Sequence, residues 1–111
     1  MSIKIQKAIG EGFYIADIKG VHVKECKNGM QMLIFNLVSN NKQGSAILFT
    51  NNTCLIEKLM KITYEDYDPE DDYDDEVDEK DFIGIRMKVK LKEKNGYLNI
   101  VDIIDLNPCS N

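Results

Sequence analysis

The sequence predicts a small all-β domain: five antiparallel strands closed into a barrel, with one short helix between the third and fourth. Three observations predict it. Residues 83–92 alternate strictly, with Ile83, Ile85, Met87, Val89 and Leu91 on one side of an extended chain and Arg86, Lys88, Lys90 and Lys92 on the other. Period two marks a strand with one buried face. Two Asn-Gly pairs, at 28–29 and 95–96, each offer the positive-φ residues of a tight hairpin turn. The period then changes to a helical one for Leu55, Ile56, Leu59, Met60 and Ile62, which puts one amphipathic helix in the middle of the chain.

Taken in order, residues 1–11 are a mixed lead-in whose Lys4 and Lys7 fit either a basic arm or an edge strand. Residues 12–26 are rich in strand formers: Phe13, Tyr14, Ile15, Ile18, Val21 and Val23. Gly20 interrupts them, and a glycine inside a strand marks a bulge or bend. Here it lets one long strand curve from one half of a barrel into the other. Asn28-Gly29 turns the chain into a second strand, residues 30–39. A polar loop at 40–44 and a third strand at 45–50 follow. Asn51, Asn52 and Thr53 are all good N-caps for a helix over residues 53–62. The alternating stretch is the fourth strand. Asn95-Gly96 turns it into the fifth, from Tyr97 toward Leu106, and Asn107-Pro108 ends it. A bent first strand and a helix between strands three and four is the layout of an OB-fold barrel. An SH3-like barrel, the rival, usually lacks that helix.

Charge is segregated. The net charge of −5 hides a run, residues 65–81, with twelve acidic residues and Lys80 as its one base. That run contributes −11 and leaves +6 on the rest. Dense like charge cannot collapse around apolar surface, so the run reads as a disordered acidic insertion in a single domain spanning 1–111. The remainder reads as a basic domain, and basic surfaces favour polyanions. Cys26, Cys54 and Cys109 are odd in number and lack zinc-ligand spacing, which fits a reducing cytoplasm. No apolar run reaches the roughly 20 residues of a membrane span, and the first residues lack the apolar core of a signal peptide.

The cationic side of the fourth strand reads as a track for phosphates. Arg86, Lys88, Lys90 and Lys92 are followed by Lys94, more cations than protection of a sheet edge requires. Aromatic rings on such a barrel can stack bases, each stack worth about 1–3 kcal/mol. A two-residue turn at Asn28-Gly29 places Phe35 opposite His22 and Leu33 opposite Lys24. That register puts Phe35 among polar neighbours, so Phe35 and Tyr97 are the expected stacking rings and Lys24 an added cation. His22 stands alone, without the partners of a metal site. The acidic run lacks the glycine of an EF-hand loop. No paired nucleophile and base, no phosphate-binding loop and no dinucleotide fingerprint is present, so neither catalysis nor a cofactor is expected.

Gly12–Tyr14, the stretch Lys27-Asn-Gly-Met-Gln-Met-Leu-Ile-Phe-Asn-Leu37 and the stretch from Phe82-Ile-Gly to Tyr97-Leu-Asn-Ile-Val101 together resemble small phage-encoded single-stranded-DNA-binding proteins with one OB fold. The resemblance covers most of the chain outside 1–11 and 64–81. It implies a non-enzymatic, sequence-tolerant binder of single-stranded DNA in phage replication or recombination, in the cytoplasm of the bacterial host. Phage replication or recombination proteins are the implied protein partners, and a dimer the favoured form of any self-association. Many such proteins end in an acidic tail. This chain ends Asp-Leu-Asn-Pro-Cys-Ser-Asn and carries its acids internally, either as a competitor for the basic face or as a partner-binding segment. The rival reading is a protein-interaction module whose acidic Tyr/Asp/Glu run mimics DNA, and a further rival a structural adaptor with no nucleic-acid role.

Overall fold

A computed structural model describes residues 7–64 and 78–106. Lys4, most of the acidic run and the Asn107-Pro108 stop lie outside the described residues. The strands are β1 (Lys7–Ala8), β2 (Gly12–Glu25), β3 (Gln31–Ser39), β4 (Lys42–Phe49), β5 (Arg86–Lys94) and β6 (Tyr97–Ile104), and the helix is α1 (Thr53–Thr63). They pair in the order β1-β4-β3-β2-β5-β6, and a further pairing of β4 with β6 closes β2–β6 into a five-stranded barrel. This is consistent with an OB-like fold. The helix sits between the third and fourth barrel strands, as the sequence predicts.

The barrel is not all antiparallel. β4 meets β6 in parallel, at Ile47 and Asn99, and β1 runs parallel to β4. The closing pair has a geometric cause. Five strands in a ring cannot alternate in direction all the way round, so at least one neighbouring pair must run the same way.

β2 serves both halves of the barrel. Its residues 12–17 pair with β5 and its residues 17–25 with β3. The register slips between Ile18 and Gly20, so the bulge falls where the glycine indicates. Two loops differ from expectation. The polar segment 40–44 is mostly strand, because Asn40 takes φ +54 and turns the chain tightly enough for Ser39 to pair with Lys42. At the other end, β5 starts only at Arg86. Phe82 closes a 3-10 turn (Glu79–Phe82), and Gly84 at φ +92 redirects the chain. Ile83 is therefore 49% exposed instead of facing the core.

Alternate residues of each strand fill the barrel: Ala16 and Ile18, then Leu33, Phe35 and Leu37, then Ala46 and Leu48, then Met87, Val89 and Leu91, then Ile100 and Ile103. α1 adds Leu55, Leu59 and Met60. Its N-cap is Asn52, whose side-chain carbonyl accepts the Leu55 N–H at 3.4 Å, meeting one of the orphan donors of the first turn. No helix among the described residues is long and apolar enough to cross a membrane.

The helix end is tied to the segment that precedes β5. The Tyr64 hydroxyl donates to the Asp81 carboxylate at 2.7 Å. Burial, then the carboxylate, pushes the phenol up to about 12. A phenol with a folded pKa above its unfolded value of about 10 stabilises fully below that value, and the contribution is lost as pH rises toward 12. In an alkaline titration followed by near-ultraviolet absorbance, one late-ionising tyrosine is expected. Tyr64→Phe should remove it. A wild-type curve without a late phase would show that the bond does not persist in solution.

Candidate nucleic-acid interface

The faces of β3 and β4 that turn away from the core build the site. On β3 this face carries Met32, Ile34 and Asn36, and on β4 Ser45, Ile47 and Phe49. The ladder pairs them as Met32 with Phe49, Ile34 with Ile47, and Asn36 with Ser45. β2 continues the rows, with Lys24 beside Met32 and His22 beside Ile34. On the other side β6 adds Asn99 next to Ile47. The β5–β6 hairpin rises beyond this surface as a second wall. Between the two lies an open groove of about 950 Å³. Its floor is apolar: Met32, Ile34, Ile47 and Phe49. Lys24, Lys94, Tyr97, Asn51, Asn52 and Asn99 line its rim.

Lys94 and Tyr97 owe their positions to the turn between them. Asn95 and Gly96 take φ +55 and +82, the pattern of a two-residue type I′ hairpin, and Lys94 pairs directly with Tyr97. The Tyr97 ring is 64% exposed at this tip.

Phe35 is not part of the site. It is fully buried and packs edge-to-face on Phe82, with ring centroids 6.3 Å apart. The correction comes from the first Asn-Gly turn. Lys27–Gly29 is a three-residue turn with Gly29 at φ +74, and the Cys26 N–H donates to the Met30 carbonyl at 2.7 Å. This resembles the three-residue hairpin in which a type I turn is followed by a left-handed residue. Phe35 therefore pairs with Val21, and His22 with Ile34. One residue of slip moves every side chain of β3 to the opposite face.

The cationic strand holds its alternation. Met87, Val89 and Leu91 are buried while Arg86, Lys90, Lys92 and Lys94 are exposed and Lys88 is half-buried. Arg86 differs from the lysines. Its Nε and Nη2 donate to the two carboxylate oxygens of Asp17 at 2.8 and 3.2 Å. That hydrogen bonding raises the guanidinium pKa and holds the Asp17 carboxyl below its ordinary value. Arg86 is thus already engaged with an anion of its own chain. The lysines of the strand show no such fork: the ion pairs seen among the described residues join Arg86 to Asp17 and Lys58 to Asp102.

The structure therefore divides the predicted set. Lys24, Lys94 and Tyr97 meet at the groove. Lys88, Lys90 and Lys92 extend from Lys94 along β5. Arg86 is paired and Phe35 is core. Phe49, Met32 and Ile34 are groove residues that the sequence reading missed. Asn36 was the available signal, because a polar residue in the middle of β3 marks the face that looks outward, and Met32 and Ile34 share it. Among the described residues, no three His, Cys, Asp or Glu side chains are grouped to hold a metal ion. Compared with protein-family models and with curated proteins, the sequence gives no match.

Proposed function

We propose that this protein is an OB-fold binder of single-stranded DNA with little sequence preference. The observation that carries this reading is the groove itself. Its apolar floor with a half-buried phenylalanine, its exposed tyrosine and the lysines at its rim match what an unpaired nucleic-acid strand presents. Bases have apolar faces to stack, and phosphates need cations. The floor is sequence-tolerant because every base has a π-face. Asn51, Asn52, Asn95 and Asn99 can hydrogen-bond to sugar, base or phosphate without adding charge. The resemblance of the chain to phage single-stranded-DNA-binding proteins extends the proposal to phage replication or recombination as the setting.

Titration of labelled oligo-dT at two salt concentrations tests it. Each phosphate neutralised on a single strand adds about 0.7 to the log–log salt slope. The double variant Lys24→Gln/Lys94→Gln is expected to bind more weakly and to flatten the slope by about 1.4. An unchanged slope in the folded variant would take these lysines out of the phosphate path. A wild-type protein that ignores oligo-dT at low salt would return the function to the acidic segment and a basic partner. Parallel titration with oligo-rU separates DNA from RNA preference.

A further inference from the structure

Round the barrel from the groove, the outer face of β2, β5 and β6 carries apolar side chains that the core does not use. Phe13 is 55% exposed and Ile15 52%. Their neighbours in register are Lys90 and Lys88, and Lys88 in turn pairs with the exposed Ile104. The ammonium groups of Lys88 and Lys90 each lie 5.4 Å from the centroid of the Phe13 ring. Beside the ring opens a shallow hollow of about 580 Å³, bounded by Ile15, Asp17, Arg86 and Lys88. The carboxylates nearest in register, Asp17 and Asp102, form their hydrogen-bonded ion pairs with Arg86 and Lys58; Lys90, opposite Asp102 in the ladder, adds only a weaker attraction to it.

We propose that this face is a second contact segment for the same DNA strand: a strand leaving the groove past Lys94 and Lys92 runs over Lys90 and Lys88 and stacks a base on Phe13. The proposal rests on reading the groove as a nucleic-acid site. Continuity supports it. Outward residues of a strand recur about every 6.6 Å, so Lys88 to Lys94 forms a track of four cations about 20 Å long. Lys94, at one end, lines the groove. Val101, bulged out of β6 opposite the step from Lys90 to Leu91, is exposed and belongs to the groove lining as well. Groove and track therefore share an edge. The track stops at Arg86, where Asp17 supplies the anion.

Charge selects the occupant. A second copy docked face to face would bring two copies of the same lysine-bearing patch together, since a two-fold interface uses one patch on both subunits. A wholly apolar partner would desolvate two ammonium groups and pair with neither. A nucleotide supplies both needs, a flat π-face for the ring and an anionic phosphate for the lysines.

Oligo-dT of two lengths tests the extension, about 5 nucleotides to fill the groove alone and about 15 to reach beyond it. Wild-type protein is expected to bind the longer strand more tightly than end statistics alone explain. Phe13→Ala should weaken the longer strand about 10-fold and leave the shorter one unchanged. Phe13→Trp should restore the longer. Lys88→Gln/Lys90→Gln should flatten the salt slope by about 1.4 for the longer strand only. Equal effects of Phe13→Ala at both lengths, or none at either, would overturn the second segment while leaving the groove in place. Tight binding of an acidic peptide that depends on Phe13, with no effect of Phe13→Ala on the longer DNA, would assign the face to a protein instead. Absence of DNA binding at both lengths would remove the groove reading and this one with it.

Discussion

Phe35→Ala is expected to destabilise the protein severely. The ring is fully buried at the centre of β3 and packs against Phe82. Truncating a buried phenylalanine costs about 3–5 kcal/mol, lost transfer energy plus a cavity. A domain of this kind holds only about 5–15 kcal/mol in total. The denaturant midpoint should fall accordingly, and whatever fraction stays folded should bind oligo-dT as the wild type does. A stable Phe35→Ala protein with weakened DNA binding would reverse the assignment and put the ring on the surface.

The opposite pattern is expected at the groove. Phe49→Leu with Tyr97→Leu keeps apolar volume but removes both π-faces. Base–aromatic stacks are worth about 1–3 kcal/mol each, so the double variant should lose roughly two orders of magnitude in oligo-dT affinity. Its salt slope should hold, because no phosphate contact is lost. Tyr97 is mostly in solvent, so its replacement should leave the unfolding midpoint almost unmoved. Unchanged affinity in the folded double variant would take the groove out of the binding reaction.

These two expectations separate Phe35 from Tyr97, the two rings expected to stack bases, and the reason is local. Both Asn-Gly pairs read alike as two-residue turns. The second is one, and Lys94 and Tyr97 stand where alternation and turn together put them. At the first, Gly29 alone takes positive φ in a three-residue turn. Composition does not tell the two turns apart, yet the difference inverts a whole strand. β5 was legible because its two faces differ so sharply, lysine against aliphatic. β3 was not, because Leu33, Phe35 and Leu37 alternate with Met32, Ile34 and Val38, and hydrophobicity alone points both ways. The site was harder to see than the fold for a further reason. The groove exists between β3–β4 and the β5–β6 hairpin, elements far apart in the chain, and no local pattern encodes their approach. The pairing of Arg86 with Asp17 is equally long-range. So is Phe13, whose exposure depends on β5 lying beside it and leaving its outer side open.

The parallel contact of Ile47 with Asn99 also has a consequence in time. Strands β2, β3 and β4 are neighbours in sequence and can zip as a meander while the chain is still being made. β6 leaves the ribosome last of the described strands, and its meeting with β4 closes a long loop, a step with a high entropic cost before any bond forms. One wall of the groove is β4 and the other is the hairpin that contains β6, so no half-made groove exists. On the proposed reading, a chain cannot hold DNA in this groove before β6 has joined β4.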